Sequence, residues 1–220
     1  MPNIVNNTSG LTFYQKQSGG YEITSTEGTT NGTIIWNMVS QMGWTVEAAS
    51  ALLGNISAES GVNPGRHEVG GTGYGLVQWT PQSALTDALD IIYPEGYSLT
   101  DGVQQVNIII AEYMQTNYAQ GNPDGANWGV ERQWYNSSGG NYGFALPSWD
   151  WYEWAHLNGP LDDMTKSFMI SYERPAYDSG TNHWPQRVAN TEAWYTILSG
   201  LPPGGRKRRF PVFLMNRRLF

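Results

Sequence analysis

The most informative segment of the chain, residues 45–80, reads TVEAASALLGNISAESGVNPGRHEVGGTGYGLVQWT. Its first part predicts an amphipathic helix, because Thr45 is a favourable N-cap and apolar side chains recur at helical spacing. Leu52, Ile56 and Glu59 are separated by four and then three residues, so they share one helix face. We therefore expect Glu59 to project from an apolar face in the last turn of this helix.

The second part of the segment combines glycine with aromatic and amide side chains. We interpret residues 62–80 as a small hairpin or irregular sheet. The Gly-Tyr-Gly sequence at residues 73–75 allows close backbone approach, and Gln78 offers both a hydrogen-bond donor and an acceptor. Tyr74 and Trp79 offer faces for stacking. Sugars are bound by this mixture of groups.

Four further helices are predicted by apolar periodicity, N-caps and the position of proline. They cover residues 33–42, 101–117, 161–172 and 185–198. Residues 120–150 are rich in Gly, Asn and aromatic residues without periodicity, which predicts a long loop. The predicted fold class is α+β and mainly α, with a small β element at residues 62–80.

Three regions are predicted along the chain. Residues 1–32 are polar and are interpreted as an arm or a short hairpin outside the core. Residues 33–199 form the main domain, since a chain of 220 residues can bury one good core. Residues 200–220 combine a Pro/Gly linker with a basic and hydrophobic tail.

Charge is distributed unevenly between these regions. The formal net charge is −7, from 12 basic and 19 acidic residues. Six basic residues and no acidic ones follow Gly205, so residues 1–205 carry a net charge of −13. An acidic body is not expected to bind nucleic acid. The 26 Gly, 10 Trp and 13 Tyr are typical of a loop-rich protein that stacks on flat ligands, although they suit an aromatic core equally well.

Several classes of protein are excluded or disfavoured. The absence of cysteine excludes disulfides, a Cys nucleophile and thiolate zinc sites. The histidines, His67, His156 and His183, lack ligand-like spacing, so neither a metal nor another cofactor is predicted. No stretch approaches the roughly 18 apolar residues needed to span a bilayer. The first residues lack the basic and apolar regions of a Sec signal peptide.

A general acid for glycoside hydrolysis must be a carboxyl group that stays protonated near neutral pH. Burial against apolar side chains favours that state. The position of Glu59 fits such a group, and by itself fits a solvated residue at a helix end equally well. The sugar-binding character of residues 73–80 favours the catalytic reading.

The chain resembles the phage tail-associated lysozymes of the lysozyme-like superfamily over about residues 33–199. The resemblance is carried by LGNISAESGVNP at residues 53–64, GYGLVQWT at residues 73–80, SYERP at residues 171–175, Arg187 and Ala189.

This resemblance implies a muramidase that cleaves the β-1,4 bond of peptidoglycan, with Glu59 as general acid. It implies that residues 73–80 form one wall of the glycan cleft, with Ser60, Tyr74, Gln78 and Trp79 as substrate contacts. It places the protein in the virion tail, where it would degrade the cell wall locally during DNA entry. Its partners would be glycan strands, and other tail proteins are further candidates.

The second carboxylate is left open by the resemblance, because some members of the superfamily work with a single Glu. Glu68 is the candidate for activating water or stabilising the transition state, whereas Asp87 and Asp90 are expected on the surface of a following helix. Glu173 and Arg174 are expected to form a structural ion pair or cap, and the resemblance leaves a supporting role open for them. Two alternatives to a muramidase are a lytic transglycosylase and a non-catalytic glycan-binding module of the tail.

Overall fold

The computed structural model describes residues 11, 13–17, 23–131, 133–174 and 183–201. Within these residues the chain forms seven α-helices, one 3-10 helix and one π-helix. In chain order they are α1 (Ser25–Gln41), α2 (Val46–Ser60), α3 (Gln82–Ile92), α4 (Gly102–Gln120), the 3-10 helix (Gly140–Tyr142), α5 (Trp151–His156), α6 (Leu161–Phe168), the π-helix (Met169–Glu173) and α7 (Trp184–Ser199). The prediction of a mainly helical domain is confirmed.

Two helix starts follow the predicted caps. Thr45 is the N-cap of α2, and its hydroxyl accepts a hydrogen bond from Ala48 N at 3.2 Å. Gly61, with φ 64°, is the C-cap of the same helix. Asp101 begins α4, because its carboxylate accepts from the backbone N–H groups of Val103 and Gln104. Satisfying these otherwise free donors fixes where each helix begins.

The first helix begins earlier than predicted. A capping box starts α1 after Thr24, whose hydroxyl accepts from Glu27 N at 3.2 Å while the Glu27 carboxylate accepts from Thr24 N at 2.6 Å. The first turns of α1 are rich in Thr, Gly and Asn, so apolar periodicity did not reveal them. Residues 25–32 therefore belong to a helix and not to the predicted arm.

Residues 13–17 also differ from the expectation of an arm outside the core. Phe13 is buried, and its ring lies where a side chain at Gly102 would otherwise be. The amides of Asn31 and Asn63 bind the backbone of Tyr14 and Lys16. Residues 1–10 and the predicted tail from residue 202 onward lie outside the described part of the chain.

The expected small β element is not present as a sheet. No β-strand occurs in the described ranges, and residues 61–80 contain only two isolated antiparallel bridges, His67 with Tyr74 and Tyr74 with Trp79. Extended backbone is interrupted at Val62 and Gln78, which have φ values of 61° and 52°. Because the chain reverses after each bridge, no ladder of hydrogen bonds develops.

The core surrounds α4, whose residues 106 and 108–111 are fully buried. An aromatic cluster packs around its C-terminal half, and it includes Trp44, Tyr113, Trp134, Trp151, Trp154, Phe168 and Tyr172. Seven of the 10 Trp residues are buried, so tryptophan serves mainly the core. This rigid interior supports the elements that carry the candidate site.

α2 packs more extensively against α7 than against any other described helix, and next against α6. The closest approach is at Gly54, where an added Cβ would lie 2.0 Å from Thr191 Oγ1 and 2.8 Å from the backbone oxygen of Arg187. The missing side chain lets the two backbones come together. Arg187 consequently lies against the last turns of α2.

Candidate active site

Glu59 lies in the last turn of α2, with its side chain 23% exposed. Its Oε1 accepts a short hydrogen bond from Arg187 Nη2. Leu52 and Ile56 are fully buried on the core side of the helix, whereas Glu59 reaches toward α7. The surroundings of Glu59 are thus ionic, and not the apolar surface that its helix face predicted.

Arg187 connects two carboxyl groups from different elements. Its side chain is 4% exposed, and its Nη1 donates to Glu173 Oε2 at 2.5 Å. Nη1 also donates to Asn55 Oδ1 at 3.0 Å, one turn before Glu59 on α2. We call Glu59, Arg187 and Glu173 the carboxylate–guanidinium cluster.

Glu173 is the more buried carboxyl of this cluster, with 3% of its side chain exposed. Burial raises the pKa of Glu173 to about 8, with the nearby Glu59 charge adding to the increase and Arg187 opposing it. Its second oxygen, Oε1, is buried without a hydrogen-bond partner in the described part of the chain. Burial and an unbonded oxygen both favour the protonated form of a carboxyl group over the carboxylate.

The expected pairing of Glu173 with Arg174 is wrong. Glu173 ends the π-helix and bonds Arg187, while Arg174 adopts a left-handed backbone with φ 50°. The Arg174 guanidinium donates to Gln133 Oε1 at 2.9 Å and lies 4.6 Å from the centre of the Tyr135 ring. The change of backbone conformation at Arg174 directs the two neighbouring side chains to different places.

A third acidic residue, Glu112, is buried nearby in α4 and was not anticipated. Its Oε1 accepts from Trp79 Nε1 at 3.4 Å, and its Oε2 accepts a short hydrogen bond from the Tyr172 hydroxyl. Burial raises the pKa of Glu112 to about 8, against the opposing effect of these hydrogen bonds. The sequence carries one signal for Glu112, because it is an acidic residue within the inward-facing apolar stripe of the predicted helix at residues 101–117.

Glu112 also lines a cleft of about 360 Å³ between α3 and the loop of residues 129–133. Asp87 from α3 and Glu131 from the loop contribute further carboxyl groups to its walls. Glu59 is not among the residues that line this cleft. Glu112 nevertheless connects the cleft to the cluster, since its partner Tyr172 directly precedes Glu173.

The predicted substrate contacts of residues 60–80 have mainly structural roles in this conformation. Ser60 is buried and donates to Leu76 O at 2.8 Å, which fastens the end of α2 to the loop. Tyr74 and Trp79 are 8% and 6% exposed, so neither ring offers an open face for stacking. Gln78 is half-buried, and its amide donates to Gly75 O at 2.7 Å and Arg66 O at 3.2 Å.

Glu68 is exposed on the same loop, and its Oε2 accepts from Gly73 N at 2.9 Å. The carboxylate folds over Gly71, where an added Cβ would lie 2.0 Å from it. The structure therefore brings Glu59 into contact with Arg187, and through Arg187 with Glu173. Glu68, in contrast, is hydrogen-bonded to Gly73 of its own loop.

Metal-binding clusters and membrane-spanning helices are both absent from the described part of the chain. No group of three or more acidic or histidine side chains in the described ranges is arranged to hold a metal ion. Among the helices of these ranges, none combines the length and the apolar character required to cross a bilayer.

Comparison with known proteins places these residues in a family. The family model described as phage tail lysozyme matches residues 30–198, a range that contains the whole carboxylate–guanidinium cluster and Glu112. A relative from Bacillus phage B103, named Morphogenesis protein 1, is 27% identical over 212 residues. The match covers 93% of this chain and 48% of the relative, so the chain spans about half of that protein's length. The chain belongs to the phage tail lysozyme family.

Proposed function

We propose that the protein is a peptidoglycan hydrolase with a lysozyme-like domain, which cleaves the β-1,4 glycosidic bond with Glu59 as general acid. The observation that supports this most directly is the partly exposed Glu59 carboxyl group at the end of α2, bonded to a buried arginine. Membership of the phage tail lysozyme family supports the substrate class. The proposed catalytic domain is residues 33–199, on which residues 13–17 and 25–32 also pack.

In the proposed reaction, protonated Glu59 transfers its proton to the leaving glycosidic oxygen, while water adds to the anomeric carbon and gives up a proton to Glu68. Proton transfer leaves a carboxylate at Glu59. Arg187 stabilises that carboxylate, because an adjacent positive charge favours the ionised form of an acid. Glu68 is the proposed second carboxyl group, and Gln78 is the proposed polar contact with the glycan. Ser60, Tyr74 and Trp79 pack around the loop that carries Gln78 and are proposed to shape that wall of the cleft.

The proposal is tested with Glu59→Gln, assayed by clearing of purified cell walls. The Gln side chain retains an oxygen that accepts a hydrogen bond from Arg187, but it has no acidic proton to transfer to the glycosidic oxygen. Since general-acid catalysis is typically worth 10²–10⁴ in rate, activity should fall by about 100-fold or more. Glu192→Gln makes the same chemical change on the exposed side of α7 and should retain full activity. Wild-type clearing by Glu59→Gln, at equal thermal stability, would reject the role.

A lytic transglycosylase is the second candidate, and the position of Glu68 favours it. A transglycosylase uses one Glu as acid and then as base, and it forms a 1,6-anhydro sugar without adding water. Glu68 is bonded to its own loop, while Glu59 is held at the cluster. Mass spectrometry of the released muropeptides separates the two reactions, since only hydrolysis adds the mass of water. Glycan binding without any released product would instead identify a non-catalytic binding module.

We also propose that the protein acts from the phage virion, as a tail component that opens the cell wall locally for DNA entry. The family and the phage origin of the relative support this location. Detection of the chain in purified virions, with loss of wall clearing by virions that carry Glu59→Gln, would test it. Absence from the virion would point to action elsewhere in the infection.

A further inference from the structure

Among the described residues, the carboxylate–guanidinium cluster brings two carboxyl groups against one guanidinium. Glu59 and Glu173 bond different nitrogens of the Arg187 guanidinium. If both were ionised, the cluster would carry a net negative charge, although the side chains of Arg187 and Glu173 are at most 4% exposed. Unbalanced charge at such depth is costly, so uptake of one proton is the favourable solution.

Either carboxyl group of the cluster can carry that proton. The Oε1 atom of Glu173 is buried without a partner in the described ranges, which favours a protonated Glu173. Glu59 contacts the same guanidinium, so a proton on either carboxyl group leaves the other as the partner of Arg187. Groups coupled in this way titrate as a pair and not as two independent acids.

We propose that Glu59 and Glu173 share one proton across Arg187, and that Glu173 is the positioning residue that keeps a fraction of Glu59 protonated at neutral pH. This inference rests on the proposed function of Glu59 as general acid. The cluster then retains its proton well above the pH at which a carboxyl group paired only with arginine would lose it. The general acid is supplied by the pair, while only Glu59 approaches the substrate.

The charged groups around Glu173 are consistent with this pairing. Arg187 faces it from α7 and Glu59 from the end of α2, while Asn55 of α2 contributes a neutral amide. Arg174, the next residue, is directed toward Gln133 and Tyr135. Tyr172, the preceding residue, is directed toward Glu112.

The first test is the pH profile of wall clearing by Glu173→Gln. Gln cannot exchange a proton, so Arg187 would pair with Glu59 alone and hold it ionised. The alkaline limb of the profile should move to lower pH by ~1 unit or more, with kcat reduced and KM near wild type. Glu173→Asp, which restores an ionisable group, should recover part of the profile, and Glu192→Gln should match wild type. A uniform loss at all pH values with an unchanged profile would overturn the proposal.

The second test does not depend on activity or on the folding of Glu173→Gln. The side-chain carboxyl carbons of glutamate are labelled with 13C, and wild type is titrated by NMR, with Glu59→Gln used for assignment. The Glu59 and Glu173 signals should both respond at each of two steps, because coupled groups titrate as a pair. In Glu59→Gln, Glu173 should titrate in a single step at lower pH than the later step of wild type, because the Glu59 charge no longer adds to the effect of burial. Single, independent steps for the two signals would overturn the shared proton. Absence of lytic activity in wild type would reject the proposed function and leave this titration as the measure of the pair.

Discussion

At the scale of single residues, Glu112 shows how a carboxyl group can be accommodated in a core as a neutral acid. It accepts hydrogen bonds from Trp79 and Tyr172, the neighbours in sequence of Gln78 and Glu173. It therefore links the loop wall to the π-helix that carries the buried member of the cluster. An ionised Glu112 carboxylate at this depth would lose more hydration free energy than its two hydrogen bonds recover.

The neutral state of Glu112 predicts a pH-dependent stability. Below about pH 4.5 the carboxyl group is protonated in both folded and unfolded chains. Between 4.5 and about 8 only the folded state keeps the proton, so the free energy of unfolding falls as pH rises. Glu112→Gln removes this contribution. Its free energy of unfolding relative to wild type should therefore increase by about 1 kcal/mol per pH unit across this range. Urea unfolding at a series of pH values measures the difference.

Two comparisons make this measurement specific. Glu192→Gln should differ from wild type by a constant amount at every pH, since it lies at the surface. Glu112→Gln should itself retain part of the pH dependence of wild type, because burial also raises the pKa of Glu173. A difference between Glu112→Gln and wild type that stays flat from pH 5 to 8 would show that Glu112 is ionised in the folded protein.

At the scale of elements, local signals predicted α2 and α4 with their caps, because capping and periodicity depend on neighbouring residues. They did not reveal the partner of Glu59, since Arg187 lies 128 residues further along the chain. Its position depends on how α7 packs on α2. The π-helix was also missed, as the sequence of residues 161–172 reads as one helix. The resemblance drew attention to Arg187 and Glu173, and the packing explains why they meet.

Gly54 is the residue on which this packing depends, and it supplies the next prediction. Alanine is a better helix former by about 1 kcal/mol. At Gly54, however, its Cβ would overlap Thr191 Oγ1 and press on backbone atoms of α7. Gly54→Ala should therefore destabilise the protein by a net ~1–3 kcal/mol, since backbone atoms must shift. It should also reduce wall clearing beyond the loss of folded protein, because Arg187 moves away from Glu59.

Gly28→Ala is the matched control for this prediction. Gly28 lies inside α1, and an added Cβ there would meet its nearest neighbour, Gly61 O, at an ordinary 3.5 Å. This variant should be as stable as wild type or more stable. Differential scanning calorimetry and the wall-clearing assay should be run on both. Equal behaviour of the two variants would mean that α2 and α7 tolerate a wider separation.

At the scale of the whole molecule, residues 14–16 are hydrogen-bonded to the helical body beside the end of α2. The Asn31 amide accepts from Tyr14 N, donates to Tyr14 O, and donates to Val62 O just beyond α2, each at 2.8 Å. The Asn63 amide binds Lys16 N and O at 3.0 and 2.9 Å. Each amide thus bonds both the N–H and the C=O of one residue of the segment, as an adjacent β-strand would. They join this segment to α1 and to the turn that follows Glu59.

Because both amides hold the same segment, their contributions should not be additive. Asn31→Ala and Asn63→Ala should each reduce the free energy of unfolding by ~1–3 kcal/mol, as buried backbone groups lose their partners. Once either substitution releases the segment, the other has less to lose. The double variant should therefore fall short of the sum by ~0.5 kcal/mol or more. Thr29→Ala, whose hydroxyl bonds only within α1, is the control and should combine additively with Asn63→Ala. Additive losses for Asn31 and Asn63 would mean that each amide stabilises its own surroundings, and that residues 14–16 remain bound when one of them is removed.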